Sequence, residues 1–164
     1  MRSQRGFTYL VALFAVAATV VLAATALERA AQAVRREREA DLLFVGMAYR
    51  QAIGQYYEQS PGALKRYPPD LTALLDDVRQ SVRRRPLRRL YADTLSGRFE
   101  WGLIPSGDGG VMGVYPLSER RPLKTGNFPP ELAVLASAET YRDWQFIYLP
   151  ARGGVSESTL ERQP

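Results

Sequence analysis

The sequence predicts an α+β fold in which one long N-terminal helix lies against a small antiparallel sheet. Three observations predict it. An uncharged run from Phe7 to Leu27 stands near the start of the chain. Helical patterning then continues without a proline as far as Pro61. Beyond that point, short stretches rich in aromatic and β-branched residues alternate with clusters of Gly, Pro and Asp. This is the pattern of short strands and turns, not of further long helices.

The run Phe7–Leu27 reads FTYLVALFAVAATVVLAATAL. At the helical rise it spans about 32 Å, close to the thickness of a hydrocarbon core. It holds neither Pro nor Gly, so nothing in it breaks a helix. Arg2 and Arg5 precede it with no acid nearby. The positive-inside rule therefore places the N-terminus in the cytoplasm and the rest of the chain across the membrane. Three readings compete. One is a plain single-span anchor. A second is a cleaved secretory signal, because Ala24-Thr25-Ala26 fits the small-x-small pattern, with Leu27 then opening the mature chain. Against that reading, the apolar run is longer than such signals need and the helical pattern runs straight through the site. The third depends on the residues at the junction and is taken up below.

After Leu27 the chain turns polar but stays helical. Ala, Glu, Arg and Gln dominate Glu28–Glu39, and all are compatible with a helix. Apolar residues recur at Val34, Leu42, Val45, Tyr49, Ile53 and Tyr56, with Ala48 and Ala52 beside them. Their spacing of three and four marks one buried stripe. Ser60-Pro61-Gly62 ends the helix, which therefore extends from about Phe7 to Glu58. Gly46 and Gly54 weaken it by about 1 kcal/mol each relative to Ala. They either let the sheet approach closely or are loose spots. Arg35-Arg36-Glu37-Arg38-Glu39 reads as a solvated collar near lipid headgroups, held by local ion pairs, in preference to a nucleic-acid patch.

Pro68-Pro69-Asp70 followed by Leu71, Leu74, Leu75 and Val78 predicts a short amphipathic helix. The basic run Arg83-Arg84-Arg85-Pro86-Leu87-Arg88-Arg89 reads as a solvent-facing loop, because Pro86 interrupts any continuous basic helix. Phe99, Trp101 and Leu103 alternate, with Ile104 following, and predict a first strand. Pro105–Gly110 is a turn cluster, and Val111–Tyr115 leads out of it as the second arm of a hairpin. Trp144–Leu149 predicts a third strand. The segment 122–138 reads as a loop with a helical turn near Glu131–Leu135. The tail from Ala151 is polar and reads as flexible.

Composition narrows the chemistry. The 164 residues contain no Cys and no His. Thiol nucleophiles, disulfides, Ser-His-Asp triads and His-based metal sites are thereby excluded. Only oxygen-ligand sites survive, suited to calcium or magnesium. Asp93, Asp108 and Glu119 are candidate ligands, but isolated acids in turns usually cap or solvate, so no metal and no cofactor is assigned. No nucleophile–base pair, phosphate loop or carboxylate dyad stands out, so no enzyme is expected. The net charge of +5 is carried almost wholly by arginine; such a balance suits nucleic acid or anionic lipid and proves neither.

The junction Arg5-Gly6-Phe7-Thr8-Tyr9-Leu10 resembles the processing site of type IV prepilins and type II secretion pseudopilins. In that family a short basic leader ends in Gly, and a membrane peptidase cuts after it and methylates the new N-terminal residue, usually Phe. The resemblance implies that Gly6 ends the leader and Phe7 opens the mature chain with an N-methylated amine. A side-chain-free Gly suits an extended scissile backbone. The stretch Leu90–Gly97 leading into Phe99-Glu100-Trp101 resembles the family's Asp-x-x-x-Gly turn before the first sheet hairpin, here Asp93 to Gly97. The likeness is clear over residues 1–60 and suggestive to about 150. One departure stands out. Most members carry Glu at the fifth mature position, thought to pair with a neighbour's N-terminal amine, where this chain has Val11. An unpaired carboxylate there would cost about 2.5–3.5 kcal/mol, so Val11 removes both the cost and the pairing. Members at the fibre tip also lack this Glu but are typically larger than this chain. A minor or atypical subunit fits better than an ordinary major one.

The resemblance implies a pilin-like architecture with a leader at 1–6, a transmembrane helix at 7–27 and a periplasmic continuation of the helix at 28–60. A periplasmic α+β domain at 61–150 and a flexible tail at 151–164 complete it. It implies a single-pass protein of the bacterial inner membrane with a cytoplasmic N-terminus and a periplasmic C-terminal domain. The expected function is that of a structural pseudopilin of a type II secretion system, assembled into a short periplasmic fibre that drives protein export. Its implied partners are prepilin peptidase, other pseudopilins, the inner-membrane assembly platform and the lipid bilayer. The alternative is a minor type IV pilin-like protein in pilus assembly, adhesion or DNA uptake, with Arg83–Arg89 contacting phosphate; nucleic acid is the less favoured partner.

Overall fold

The computed structural model of the chain describes residues 4–79 and 83–150, so the first three residues of the expected leader and the expected flexible tail at 151–164 lie outside the described residues. Helix α1 runs unbroken from Gln4 to Glu58, 55 residues, or about 82 Å at the helical rise. Three short strands follow, β1 (Gly102–Pro105), β2 (Val111–Tyr115) and β3 (Phe146–Ile147). They form one antiparallel sheet in the order β1-β2-β3. One long apolar-ended helix and a three-stranded antiparallel sheet make up the α+β layout that the sequence predicts.

The predicted stripe is the core of the domain. Leu42, Val45, Tyr49, Ala52, Ile53 and Tyr56 are buried, and they meet Trp101, Val111, Val114, Trp144 and Phe146 from the sheet side. Val34 is a correction: it stays exposed, because the domain first covers the helix at Glu39. From Glu28 to Arg38 every helical residue is exposed. The helix therefore crosses a bare stalk before it enters the core.

The glycines of α1 are contact points. A Cβ on Gly46 would overlap the Phe146 ring, and one on Gly54 would lie 2.6 Å from the Tyr148 ring. The two rings rest directly on helix backbone. Arg50 Nε donates to Ile147 O at 2.9 Å, and Tyr148 donates its hydroxyl to Glu58 at 2.6 Å. Of the alternatives for these glycines, close approach is the one realised.

The C-terminal end of α1 is capped from outside the helix. Its last turn carries no basic residue. Arg79 instead donates to Tyr56 O at 2.8 Å and to Ser60 Oγ at 3.0 Å, with its guanidinium carbon 3.4 Å from the Tyr56 ring centroid. Its own charge is met by buried Asp77 at 2.7 Å, and this bond holds the Asp77 carboxyl below its usual range. A cation at orphan carbonyls is the favourable sign for a helix C-terminus.

Several expected elements are shorter than predicted. The helix expected after Pro68-Pro69-Asp70 is a single 3₁₀ turn, Thr72–Leu74. Asp70 does cap it, accepting from Ala73 N at 2.9 Å and Thr72 Oγ1 at 2.6 Å. The turn stops there because Asp77 pairs its backbone with Arg84 and reverses the chain, leaving Val78 exposed. The first strand starts only at Gly102. Phe99 and Leu103 face solvent, while Trp101 is buried with its indole N–H donated to Tyr91 O at 2.9 Å. The third strand loses both ends. Thr140 and Asp143 close a capping box around a 3₁₀ turn at Tyr141–Asp143, which takes Trp144 out of the ladder. The turn near Glu131–Leu135 is present as a 3₁₀ helix, Pro130–Ser137.

Gly46→Ala tests the notch. A gain of about 1 kcal/mol in helix propensity competes with overpacking of about 1–3 kcal/mol. We expect net destabilisation in urea unfolding followed by tryptophan fluorescence, reversed when Phe146→Leu is added.

Candidate functional site

The N-terminal part of α1 is the most unusual surface of the chain. Phe7, Tyr9, Leu10, Leu13, Phe14, Val16, Val20, Val21 and Leu22 are all exposed. None of the most apolar window of the helix is covered by the rest of the chain, and it is long and apolar enough to cross a membrane. Two of its hydroxyls are satisfied within the helix. Thr19 and Thr25 donate their hydroxyls to Val16 O at 2.7 Å and Leu22 O at 2.9 Å, one turn back. Such bonds remove the need for water around a hydroxyl. Val11, half-exposed on this surface, adds no charge to it.

Gly6 and Phe7 lie in the opening turns of α1. Backbone N–H groups there lack intrahelical acceptors, and Gly lowers helix stability further. The pair is helical and not extended, in an end turn that few hydrogen bonds hold. Phe7 is 71% exposed, and the domain does not cover it.

The collar differs from its expectation. Arg35, Arg36, Glu37 and Arg38 are exposed, but none of them forms an ion pair among the described residues. Glu39 is the residue that sequence reasoning missed. It is 3% exposed. Its Oε1 accepts from the Tyr141 hydroxyl at 2.6 Å, from Leu123 N, and from Lys124 N at 3.4 Å. One carboxyl oxygen thus ties the foot of the domain to the helix. The signal was present: Glu39 stands three residues before Leu42, where the buried stripe projects backwards.

The candidate metal ligands are not brought together. Asp93 is buried in its turn, with Oδ1 accepting from Leu95 N at 2.9 Å and its carbonyl accepting from Gly97 N at 2.7 Å. Gly97 takes φ +72°, the left-handed conformation that the Asp-x-x-x-Gly spacing calls for. Asp108 organises the hairpin loop, accepting from the Ser106 hydroxyl and from Tyr67 N at 3.3 Å. The serine bond lowers its pKa. Glu119 is exposed and pairs with Arg142 at 3.4 Å. Among the described residues no group of three or more acids is placed to hold a metal ion.

The basic run is divided between roles. Arg83 pairs with Asp76 at 2.8 Å, and Arg84 pairs its backbone with Asp77. Leu87 is buried, with its N–H donated to Leu74 O at 2.9 Å. Arg85, Arg88 and Arg89 face solvent. The run is a loop pinned at Arg84 and Leu87, as its proline suggests.

Comparison with protein-family models, with curated proteins and with solved structures returns no match for this chain.

The Glu39 node yields a pH test. Burial, then the bond to Glu39, pushes the Tyr141 hydroxyl from 10.0 up to about 12. An acid raised in the folded state stabilises the fold fully below its unfolded value and loses that contribution as pH climbs through its folded value. Stability should therefore fall between pH 10 and about 12. Tyr148, also raised to about 12, adds in the same direction. Tyr141→Phe should flatten part of this loss in alkaline unfolding, while costing about 1–3 kcal/mol at neutral pH.

Proposed function

We propose that the chain is a pseudopilin-like structural subunit, anchored in a bacterial inner membrane by Phe7–Leu27 with its sheet domain in the periplasm. The observation that carries this is the continuity of α1. One helix leads from an uncovered apolar run straight into the core of a small sheet domain. A simple tether needs no such continuity; a subunit whose apolar helix must be held at a fixed angle to its domain does.

The chemistry of assembly follows from exposure. In lipid, the side chains of Phe7–Leu27 are solvated by hydrocarbon. Once a subunit leaves lipid, each Å² of that surface in water costs about 25 cal/mol. Helices of neighbouring subunits then supply the cover, and Ala12, Ala15, Ala17 and Ala18 allow close approach. The chain acts here as a substrate of processing and a building unit of a short export fibre, not as a catalyst. Val11 denies it the carboxylate through which ordinary subunits engage a neighbour's amine, which suits a minor position.

The test is mass spectrometry of the mature N-terminus from the native host. N-methylated Phe7 is expected. A chain that keeps Met1 supports the plain anchor instead, and one that begins at Leu27 supports a secretory signal. Gly6→Val should block maturation at least tenfold in a peptidase assay, and normal cutting of that variant would count against the assignment.

A further inference from the structure

A cleft of about 290 Å³ opens where the collar of α1 meets the domain. Four arginines line it: Arg35 and Arg38 from the helix, Arg98 from the loop after the Asp93 turn, and Arg120 from the loop after β2. Among the described residues none of these four guanidiniums forms an ion pair. One acid, Glu100, shares the wall, so positive charge remains in large excess. The Ser118 hydroxyl adds a neutral polar group. Buried Tyr141 closes one side, and Arg35 lies near enough to oppose the rise in its pKa.

The arrangement is held in place. Thr94 donates its hydroxyl to Arg38 O at 2.8 Å, so the turn that carries Arg98 is fastened to the helix. Asp93 N donates to Arg98 O at 2.7 Å, and Tyr141 N donates to Arg120 O at 3.0 Å. Three separate segments are thus fixed with like charges facing one hollow. Such clustering is unfavourable without an anion. Guanidinium forks match phosphate oxygens in pairs, and several forks around one hollow suit a tetrahedral oxyanion better than a planar carboxylate.

We propose that this cleft binds a phosphate group. Its position suggests where such a group comes from. Arg35 and Arg38 lie about 12 and 16 Å beyond Leu27 along the helix. Helical side chains lean toward the N-terminus, here toward the apolar run, and arginine stems reach further in the same direction. The headgroup layer beyond a hydrocarbon core is about 5–8 Å deep. The cleft thus opens at the outer edge of that layer, so an anionic lipid headgroup drawn up to it is one source and free inorganic phosphate the other. The phosphate chemistry does not depend on the fibre assignment; the lipid source rests only on Phe7–Leu27 spanning the bilayer.

The experiment uses the full chain in nanodiscs, with hydrogen exchange read at amides 95–98 and 118–120. In phosphatidylcholine discs, inorganic phosphate should protect these amides saturably. Arg98→Ala/Arg120→Ala should weaken the effect at least tenfold, and Arg35→Ala/Arg38→Ala likewise, each with the near-ultraviolet signal of Tyr141 and Trp144 retained. Arg85→Ala/Arg88→Ala, on the distant exposed loop, should leave it unchanged. Phosphatidylglycerol discs that give the same protection without added phosphate identify the lipid as the source. Protection by free phosphate alone identifies the soluble ion. Absence of protection in both settings overturns the proposal, as does an equal loss in the Arg85/Arg88 variant or full binding by both cleft variants.

Discussion

The domain depends on how closely its sheet can approach one helix. Gly46 and Gly54 open two notches in α1, and the rings of Phe146 and Tyr148 fill them. With only three strands, of which β3 has two residues, the sheet cannot bury much surface by itself. Seating aromatic rings against helix backbone puts its central strand on the Leu42–Tyr56 stripe. The remaining contacts are made at that spacing.

Three polar fasteners then act at successive heights along the helix. Glu39 gathers the Leu123 loop and Tyr141 at the foot. Tyr49 both donates to Tyr91 O and accepts from Tyr91 N, at 3.0 and 2.8 Å, in the middle. Arg79, backed by Asp77, takes the Tyr56 carbonyl at the top. In the first two cases a helix side chain satisfies the backbone of a segment that has no ladder of its own, and in the third a loop arginine satisfies the helix. This explains how a domain built mostly of loops stays ordered against a helix: buried backbone groups that lack strand partners find side-chain partners instead.

Local signals were read well from sequence, and non-local ones poorly. The end of α1, the stripe from Leu42 to Tyr56, strand β2 and the turn at Glu131–Leu135 all follow from spacing or turn chemistry within a few residues. The misreadings share another cause. Trp144 is rich in strand propensity, yet the capping box of Thr140 and Asp143 withdraws it from the sheet. Leu71–Val78 has a helical period, yet Asp77 is taken by Arg79 and Arg84. Glu39 looks like one more collar charge until Tyr141, distant in sequence, arrives beside it. The Gly6–Phe7 motif is legible as a pattern, while nothing local encodes the four-arginine cleft, whose members come from three separate segments.

The bare stalk from Glu28 to Val34 has a geometric consequence. Every residue of it is exposed, so its length is free of packing constraints but not of helical phase. Each residue inserted there lifts the domain by about 1.5 Å and turns it by about 100° relative to the apolar run. A change of one residue would point the sheet in a different direction while leaving both ends of the protein chemically intact. Only additions close to whole turns, such as seven or eleven residues, nearly restore the bearing. The stalk thus works as a dial as much as a spacer, because the count of its residues sets which side of the domain faces along any given edge of the apolar helix.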